Sequence, residues 1–293
     1  VSTIPFSPFS PPALVSLVVV ALLAAASPAL ASDGPAPGGG DRPRTEVEGE
    51  RESDRVSEGK GTGENDDERE AVVLLHGLGR SDRSMRPLAR RLAAAGFRVE
   101  NIGYPSLTES PEALVAQLRA RIRECCADAP RVHFVTHSLG GILLRAILAG
   151  TPPTEAGHDA LPGIVVGRVV MLAPPNQGSE LVDALRQLDL FEWMLGPTAP
   201  RLGTGDDSLP KSLPPPTYEV GVIAGNVGIN PLGAALLEGA NDGTVSVEST
   251  RLPGMTDFLV VPHSHPFIMQ SETVADQVLE FLRQGHFRHD TAP

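Results

Sequence analysis

From Ala71 to Arg283, short apolar runs alternate with longer stretches of helical period. Ala71-Val72-Val73-Leu74-Leu75 is unbroken apolar sequence, the pattern of a strand buried on both faces. Ser84 to Ala95 then places Met85, Leu88, Leu92 and Ala95 at helical spacing, and Gly96 ends the run. A second strand is predicted from Phe97 to Ile102. A second helix follows from Pro111 to Cys125, opened by a proline whose missing N–H has no partner to lose in a first turn. Arg131 to Thr136 reads as a third strand and Leu139 to Ala149 as a third helix. Further strands are predicted at Val165–Leu172, Glu219–Ala224 and Phe258–Val261, and a closing helix at Ser271–Arg283 buries Val274, Val278 and Leu282. Strand and helix in alternation predict the α/β class: a mostly parallel sheet with helices on both faces.

Between Asn176 and Pro216 the alternation lapses. One amphipathic piece, Glu180 to Leu190, sets Leu181, Leu185 and Leu188 on one side and Glu180, Asp183, Arg186 and Asp189 on the others. Phe191, Trp193, Met194 and Leu195 follow, then a stretch rich in Pro and Gly. An insertion this long between strands is expected to form a lid or binding loop. Its apolar stripe has two readings: it packs on the core, or it roofs an apolar pocket above a reacting centre.

The 293 residues suit one large domain with appendages. Ala13 to Ala26, ALVSLVVVALLAAA, precedes Ala29-Leu30-Ala31, which together read as the apolar region and cleavage site of a secretory signal over residues 1–31. Export to the periplasm or the extracellular space is therefore expected. The 14 residues fall short of the ~20 that cross a bilayer, so an uncleaved anchor is the lesser alternative. Residues 32–70 carry 13 acidic and 6 basic side chains and almost nothing apolar, which predicts a disordered acidic linker. That stretch supplies more than half of the net charge of −12, a balance that opposes binding to nucleic acid and weakens docking on anionic lipid. The folded domain is expected over 71–285, with 286–293 as a tail. Cys125 and Cys126 are adjacent, and a disulfide between neighbours closes a strained ring, so they read as small residues at a helix end.

The chemistry concentrates where strands end. Val132 to Gly141 runs from a buried strand through Thr136-His137-Ser138-Leu139 into Gly140-Gly141, the strand–turn–helix context of an activated serine. Small residues flank such a turn, and the serine hydroxyl stands clear of the sheet. Thr136 departs from the expected glycine two places before Ser138 and is expected to crowd the turn. The N–H of Leu139, opening a helix, is a candidate oxyanion donor. A second is the N–H of Leu78 in His76-Gly77-Leu78-Gly79, directly after the first strand, where His76 is expected to anchor the loop. An acid and then a histidine should follow on later loops. Asp242, in Asn241-Asp242-Gly243, supplies the acid, and His265 the base, with His263 as its alternative. His133 reads as a satisfied core residue, His137 as facing away from Ser138, and His158, His286 and His289 as exposed. No third ligand accompanies His263 and His265, so a metal site is not expected.

HGLG at 76–79, THSLGG at 136–141, PPNQGSE at 174–180, NDGTVSV at 241–247 and SHPFIM at 264–269 make the segment 71–285 resemble the bacterial lipase and esterase branch of the α/β-hydrolase superfamily. The resemblance implies an α/β-hydrolase fold with a lid-like insertion at 176–216. It also implies cleavage of carboxylic esters through a Ser138–His265–Asp242 triad and an acyl-enzyme, without metal or organic cofactor. The implied substrate is a small-molecule or lipid acyl ester, met in solution or in transient contact with a membrane surface. The same residues would serve a thioesterase or an acyltransferase, and the fold alone would serve a binding module.

Overall fold

The computed structural model describes residues 69–149, 161–187 and 191–289. The expected signal segment, nearly all of the acidic linker, His158, the last four residues and the end of the Glu180–Leu190 stretch lie outside the described residues.

Six strands form one sheet: β1 (Ala71–Leu75), β2 (Arg98–Ile102), β3 (Val132–His137), β4 (Val166–Leu172), β5 (Val220–Gly225) and β6 (Asp257–Val261), in the order β2-β1-β3-β4-β5-β6. Every pair is parallel. Four helices cover it: α1 (Arg86–Ala94), entered through a 3-10 turn at Asp82–Met85, α2 (Pro111–Cys126), α3 (Leu139–Leu148) and, at the end of the chain, α8 (Glu272–Gln284). Between β4 and β5 lie the short helices α4 (Glu180–Leu185), α5 (Phe191–Leu195) and α6 (Leu209–Ser212). One more, α7 (Pro231–Leu236), follows β5.

The alternation of side chains along β1 explains the layering. Ala71, Val73 and Leu75 join Leu114, Leu118 and Ile122 of α2 and Ile142, Leu143 and Ile147 of α3 in one apolar layer. Val72 and Leu74 point the other way, to Leu88 and Leu92 of α1 and Val274, Val278 and Phe281 of α8. With both faces covered, β1 has no solvent side and needs no polar residue, as its sequence indicates. Ser110 caps α2, its hydroxyl accepting the Ala113 N–H at 3.3 Å. Ser271 caps α8 in the same way, accepting the Val274 N–H at 3.3 Å.

The domain runs past the expected limit at 285. Gly285 turns the chain with φ +82°, and Phe287 folds back, 1% exposed, with its ring 4.9 Å from that of Phe281. Its N–H donates to Asp257 Oδ2 at 2.7 Å. The stop signal at Gly285 ends the helix but not the core. The amphipathic stretch from Glu180 is also shorter than expected: α4 closes at Leu185.

Candidate active site

Four loops leave the carboxyl ends of β1, β3, β5 and β6 and meet at one edge of the sheet, which is where a parallel sheet places its reactive groups. The strands are parallel, so every connection that leaves a strand top starts from the same rim.

Ser138 sits at the tip of β3 with φ +52° and ψ −121°, a conformation non-glycine residues rarely hold. Its N–H is tied to Leu172 O at 2.9 Å, and the Gly141 N–H closes the turn onto Ser138 O at 3.0 Å. Gly140 explains why the helix can begin here: a Cβ on it would stand 2.6 Å from Leu75 O and 2.8 Å from His76 O. The helix start therefore lies directly against the end of β1, beside the loop that follows that strand. The crowding expected from Thr136 is absorbed by Gly141, since a Cβ there would be 3.2 Å from Thr136 Oγ1. The Thr136 hydroxyl is left buried without a partner among the described residues.

The loop after β1 is held by His76. Its Nδ1–H donates to Gly77 O at 2.9 Å, and its Nε2 accepts the Tyr104 N–H at 3.2 Å, which fixes the neutral tautomer. Tyr104 stacks on the ring, centroids 4.0 Å apart, and its hydroxyl donates to His76 O. Burial lowers the His76 pKa, in keeping with a neutral ring. Gly79 N–H donates to Ser106 Oγ at 3.0 Å. A Cβ on Gly77 would reach to 3.1 Å of Ser138 Cβ, so this loop lies on the serine and carries Leu78 beside it. Leu78 is half-buried and Leu139 fully buried.

Asp242 and His265 come together across 23 residues: His265 Nδ1 lies 2.7 Å from Asp242 Oδ2. The other carboxylate oxygen accepts the N–H groups of Thr244 at 3.0 Å and Val245 at 2.8 Å, and the Asp242 carbonyl accepts the His265 N–H at 3.0 Å. Both residues are buried. A carboxylate can only accept, so Nδ1 carries the proton and Nε2 keeps its lone pair. Neither Nε2 of His265 nor Oγ of Ser138 is engaged by another described residue. His263 is elsewhere: its Nε2 meets Ser271 Oγ at 2.9 Å at the start of α8.

The turn carrying Asp242 is buttressed by the Pro174–Glu180 segment. Asn176 Nδ2 donates to Thr250 O at 2.8 Å, Gln177 N to Ser249 O at 2.9 Å and Ser179 Oγ to Thr244 O at 3.3 Å. Ser246 Oγ donates to Glu180 Oε1 at 3.0 Å. Arg145 on α3, buried and held by desolvation below the usual guanidinium pKa, donates to Asn176 Oδ1 at 3.2 Å and Leu213 O at 3.1 Å. Sequence reasoning singled out both motifs but not their mutual support. Their density of Ser, Thr and Asn was the available signal.

The insertion's Leu181, Leu185, Phe191 and Ala199 form an apolar cluster with Leu237, just after α7, and Leu78 of the β1 loop packs against it. Trp193, which follows the apolar stripe in sequence, is 82% exposed. A five-residue helix cannot turn all of Phe191, Trp193, Met194 and Leu195 inward, and Phe191 takes the buried face. His133 is buried and satisfied, its Nδ1 accepting the Arg168 N–H at 2.9 Å and its Nε2 3.2 Å from Glu70. It lines a cavity of about 870 Å³ at the opposite edge of the sheet, and among the described residues no serine, cysteine or threonine is hydrogen-bonded to it. Volume alone does not mark the reactive site. His286 and His289 are exposed, as expected. Among the described residues no group of three His, Cys, Asp or Glu side chains is placed to hold a metal ion, and no helix is long and apolar enough to cross a membrane.

No curated protein matches the chain in sequence. Among solved structures, the mature form of a Bacillus licheniformis lipase is similar with a TM-score of 0.56 at 21% identity, over 73% of this chain and 92% of that one. The propeptide form of the same lipase gives 0.55 at 21%, over 78% of this chain and 53% of that one. At such identity these matches speak for the fold alone. The model of the family described as "Alpha/beta hydrolase family" matches residues 72–292, three quarters of the sequence, and the chain belongs to that family.

Proposed function

We propose that this α/β hydrolase cleaves carboxylic esters through Ser138, His265 and Asp242. The observation that carries the reading is the buried 2.7 Å pair of His265 Nδ1 and Asp242 Oδ2, on the same rim as a serine held at φ +52°. His265 Nε2 would take the Ser138 proton as Oγ attacks the acyl carbonyl. The N–H groups of Leu78 and Leu139 would receive the oxyanion, and Asp242 would stabilise the imidazolium. Collapse returns the proton from His265 to the departing alkoxide, leaving an acyl-serine and an alcohol. Water, deprotonated by the same Nε2, then releases the acid and restores Ser138.

The test requires no knowledge of the natural substrate. A fluorophosphonate probe should label Ser138, and Ser138→Ala should lose about six orders of magnitude in turnover of a nitrophenyl ester while staying folded. Unchanged esterase activity in the pure variant would end the proposal. Acyl thioesters and alcohol acceptors, offered beside the ester, decide between hydrolase, thioesterase and transferase chemistry on one triad. The apolar segment at 13–26 supports export, which N-terminal sequencing of the mature protein, expected near Ser32, would check.

A further inference from the structure

We infer that His137, the residue before the nucleophile, is a positioning residue for His265. This rests on the triad reading above. His137 is 1% exposed, and its Nε2 lies 3.0 Å from the backbone carbonyl of His265. A carbonyl only accepts, so Nε2 carries the proton and Nδ1 is left as a bare acceptor. That Nδ1 is buried and, among the described residues, has no hydrogen-bond partner. It faces the β1 loop instead, because a Cβ on Gly77 would stand 2.8 Å from it. The His137 ring also packs on the His265 ring, centroids 4.8 Å apart at 48°. One imidazole is thus clamped between the loop of the oxyanion donor and the loop of the base.

With His137 in place, His265 is held at three points: its N–H by Asp242 O at 3.0 Å, its Nδ1 by Asp242 Oδ2 at 2.7 Å and its carbonyl by His137. The first two come from a single residue, and two further ties of the loop, Val227 N–H to His263 O at 3.3 Å and Ser271 Oγ to His263 Nε2 at 2.9 Å, act two residues away. The third comes from the strand that carries Ser138, so it ties the base to the nucleophile's own element. A side chain present only to fill space would be apolar, since an apolar group strands no acceptor in the interior. The buried Nδ1 is a standing cost, and the bond from Nε2 is what offsets it. Burial above all, with repulsion from the Arg80 guanidinium as a lesser cause, keeps the His137 pKa well below the usual histidine value. The ring therefore stays neutral, and Nε2 donates throughout the cycle without adding a charge beside the imidazolium.

Three substitutions separate this role from packing. In His137→Gln the amide nitrogen reaches about where Nε2 stands. In His137→Asn it reaches only as far as Nδ1, and in His137→Leu there is no donor. On a soluble nitrophenyl ester, His137→Leu and His137→Asn should lose about tenfold to a hundredfold in kcat with KM little changed, the scale of a base displaced by up to 1 Å. Fluorophosphonate labelling of Ser138 should slow in parallel. The acid limb of the pH–rate profile should stay in place, because His137 itself exchanges no proton. His137→Gln should regain most of the lost kcat. Equal kcat for the Gln and Leu variants, or losses that follow thermal stability rather than the presence of a donor, would overturn the inference. So would failure of all three to fold, which would make His137 a folding residue. If Leu alone fails to fold, the Gln and Asn pair still decides. Wild-type protein that neither labels nor turns over esters, by contrast, defeats the triad reading on which the inference stands.

Discussion

Asp242 holds His265 through both backbone and side chain, its carbonyl accepting the histidine N–H at 3.0 Å and its carboxylate facing Nδ1 at 2.7 Å. The carboxylate thereby sets the tautomer, and the two adjacent N–H groups of Thr244 and Val245 keep its other oxygen occupied. Asp242→Asn preserves shape but offers Nδ1 an amide, which favours the wrong tautomer. We expect kcat to fall by about four orders of magnitude with the fold intact, as measured by ester turnover and circular dichroism. A loss below about tenfold would remove Asp242 from the mechanism.

The two histidines of the β6 loop should separate cleanly. His265→Ala should be nearly as damaging as loss of Ser138. His263, whose Nε2 meets Ser271 Oγ at 2.9 Å at the start of α8, should cost at most about tenfold in kcat when replaced by Ala. The reverse order of losses would move the base to His263.

Sequence alone favoured His265 and kept His263 as its alternative, and what it lacked to separate them further is physical. Spacing along a loop records which residues are near in the chain, whereas the carboxylate that pairs with His265 lies 23 residues away. What was legible were local patterns: an apolar run long enough for one strand, a serine between strand and helix, and paired glycines. Gly140 is in the sequence because α3 starts against Leu75 O and His76 O, but only the structure shows that contact. The same limit explains Phe287, which is buried by a return across Gly285 that no local pattern encodes. His137 reads from the sequence as turned away from Ser138. It proves to be turned toward the loop of His265.

Two glycines should fail in different ways. Gly140→Ala drives a methyl to 2.6 Å and 2.8 Å of two main-chain oxygens, which cannot move without shifting β1. It should cost about 1–3 kcal/mol in stability, read from denaturant unfolding, together with activity. Gly77→Ala meets the His137 ring at 2.8 Å and Ser138 Cβ at 3.1 Å. Its effect should fall mainly on kcat, because it meets side chains, which can shift, where Gly140 meets main-chain oxygens, which cannot. Equal losses of stability in the two variants would refute that division.

Three buried histidines predict the response to acid. His76, His133 and His137 all have pKa values lowered chiefly by burial. The unfolded chain therefore binds protons at about pH 6.5 that the native protein refuses until lower pH. Stability from these groups is fully present above that value and is lost as pH falls through the native values, by at most about 1.4 kcal/mol per pH unit for each histidine. Denaturant midpoints should drop below about pH 6.5, and the slope should be shallower in His133→Gln. A midpoint unchanged down to pH 5 would contradict the burial-driven shifts.

The insertion gives the last expectation, because its two apolar residues of interest differ in where they sit. Leu185 is 7% exposed and belongs to the cluster against which Leu78 packs, whereas Trp193 is 82% exposed and belongs to none. Leu185→Ala opens space behind the loop that presents the Leu78 N–H. It should lower kcat for acetyl and long-chain esters alike, with a stability loss of about 2–5 kcal/mol if the site does not collapse. Trp193→Ala removes a side chain that is 82% exposed, so thermal stability and turnover of dissolved acetyl esters should stay as they are. If the insertion meets the acyl chain, the Trp193 loss should appear only with long-chain esters and grow with each added methylene, at about 0.8 kcal/mol per buried group. Measuring kcat/KM along a series of chain lengths for both variants decides the matter. A chain-length dependence in Leu185→Ala and none in Trp193→Ala would make the inner cluster, not the exposed tryptophan, the wall of the acyl site.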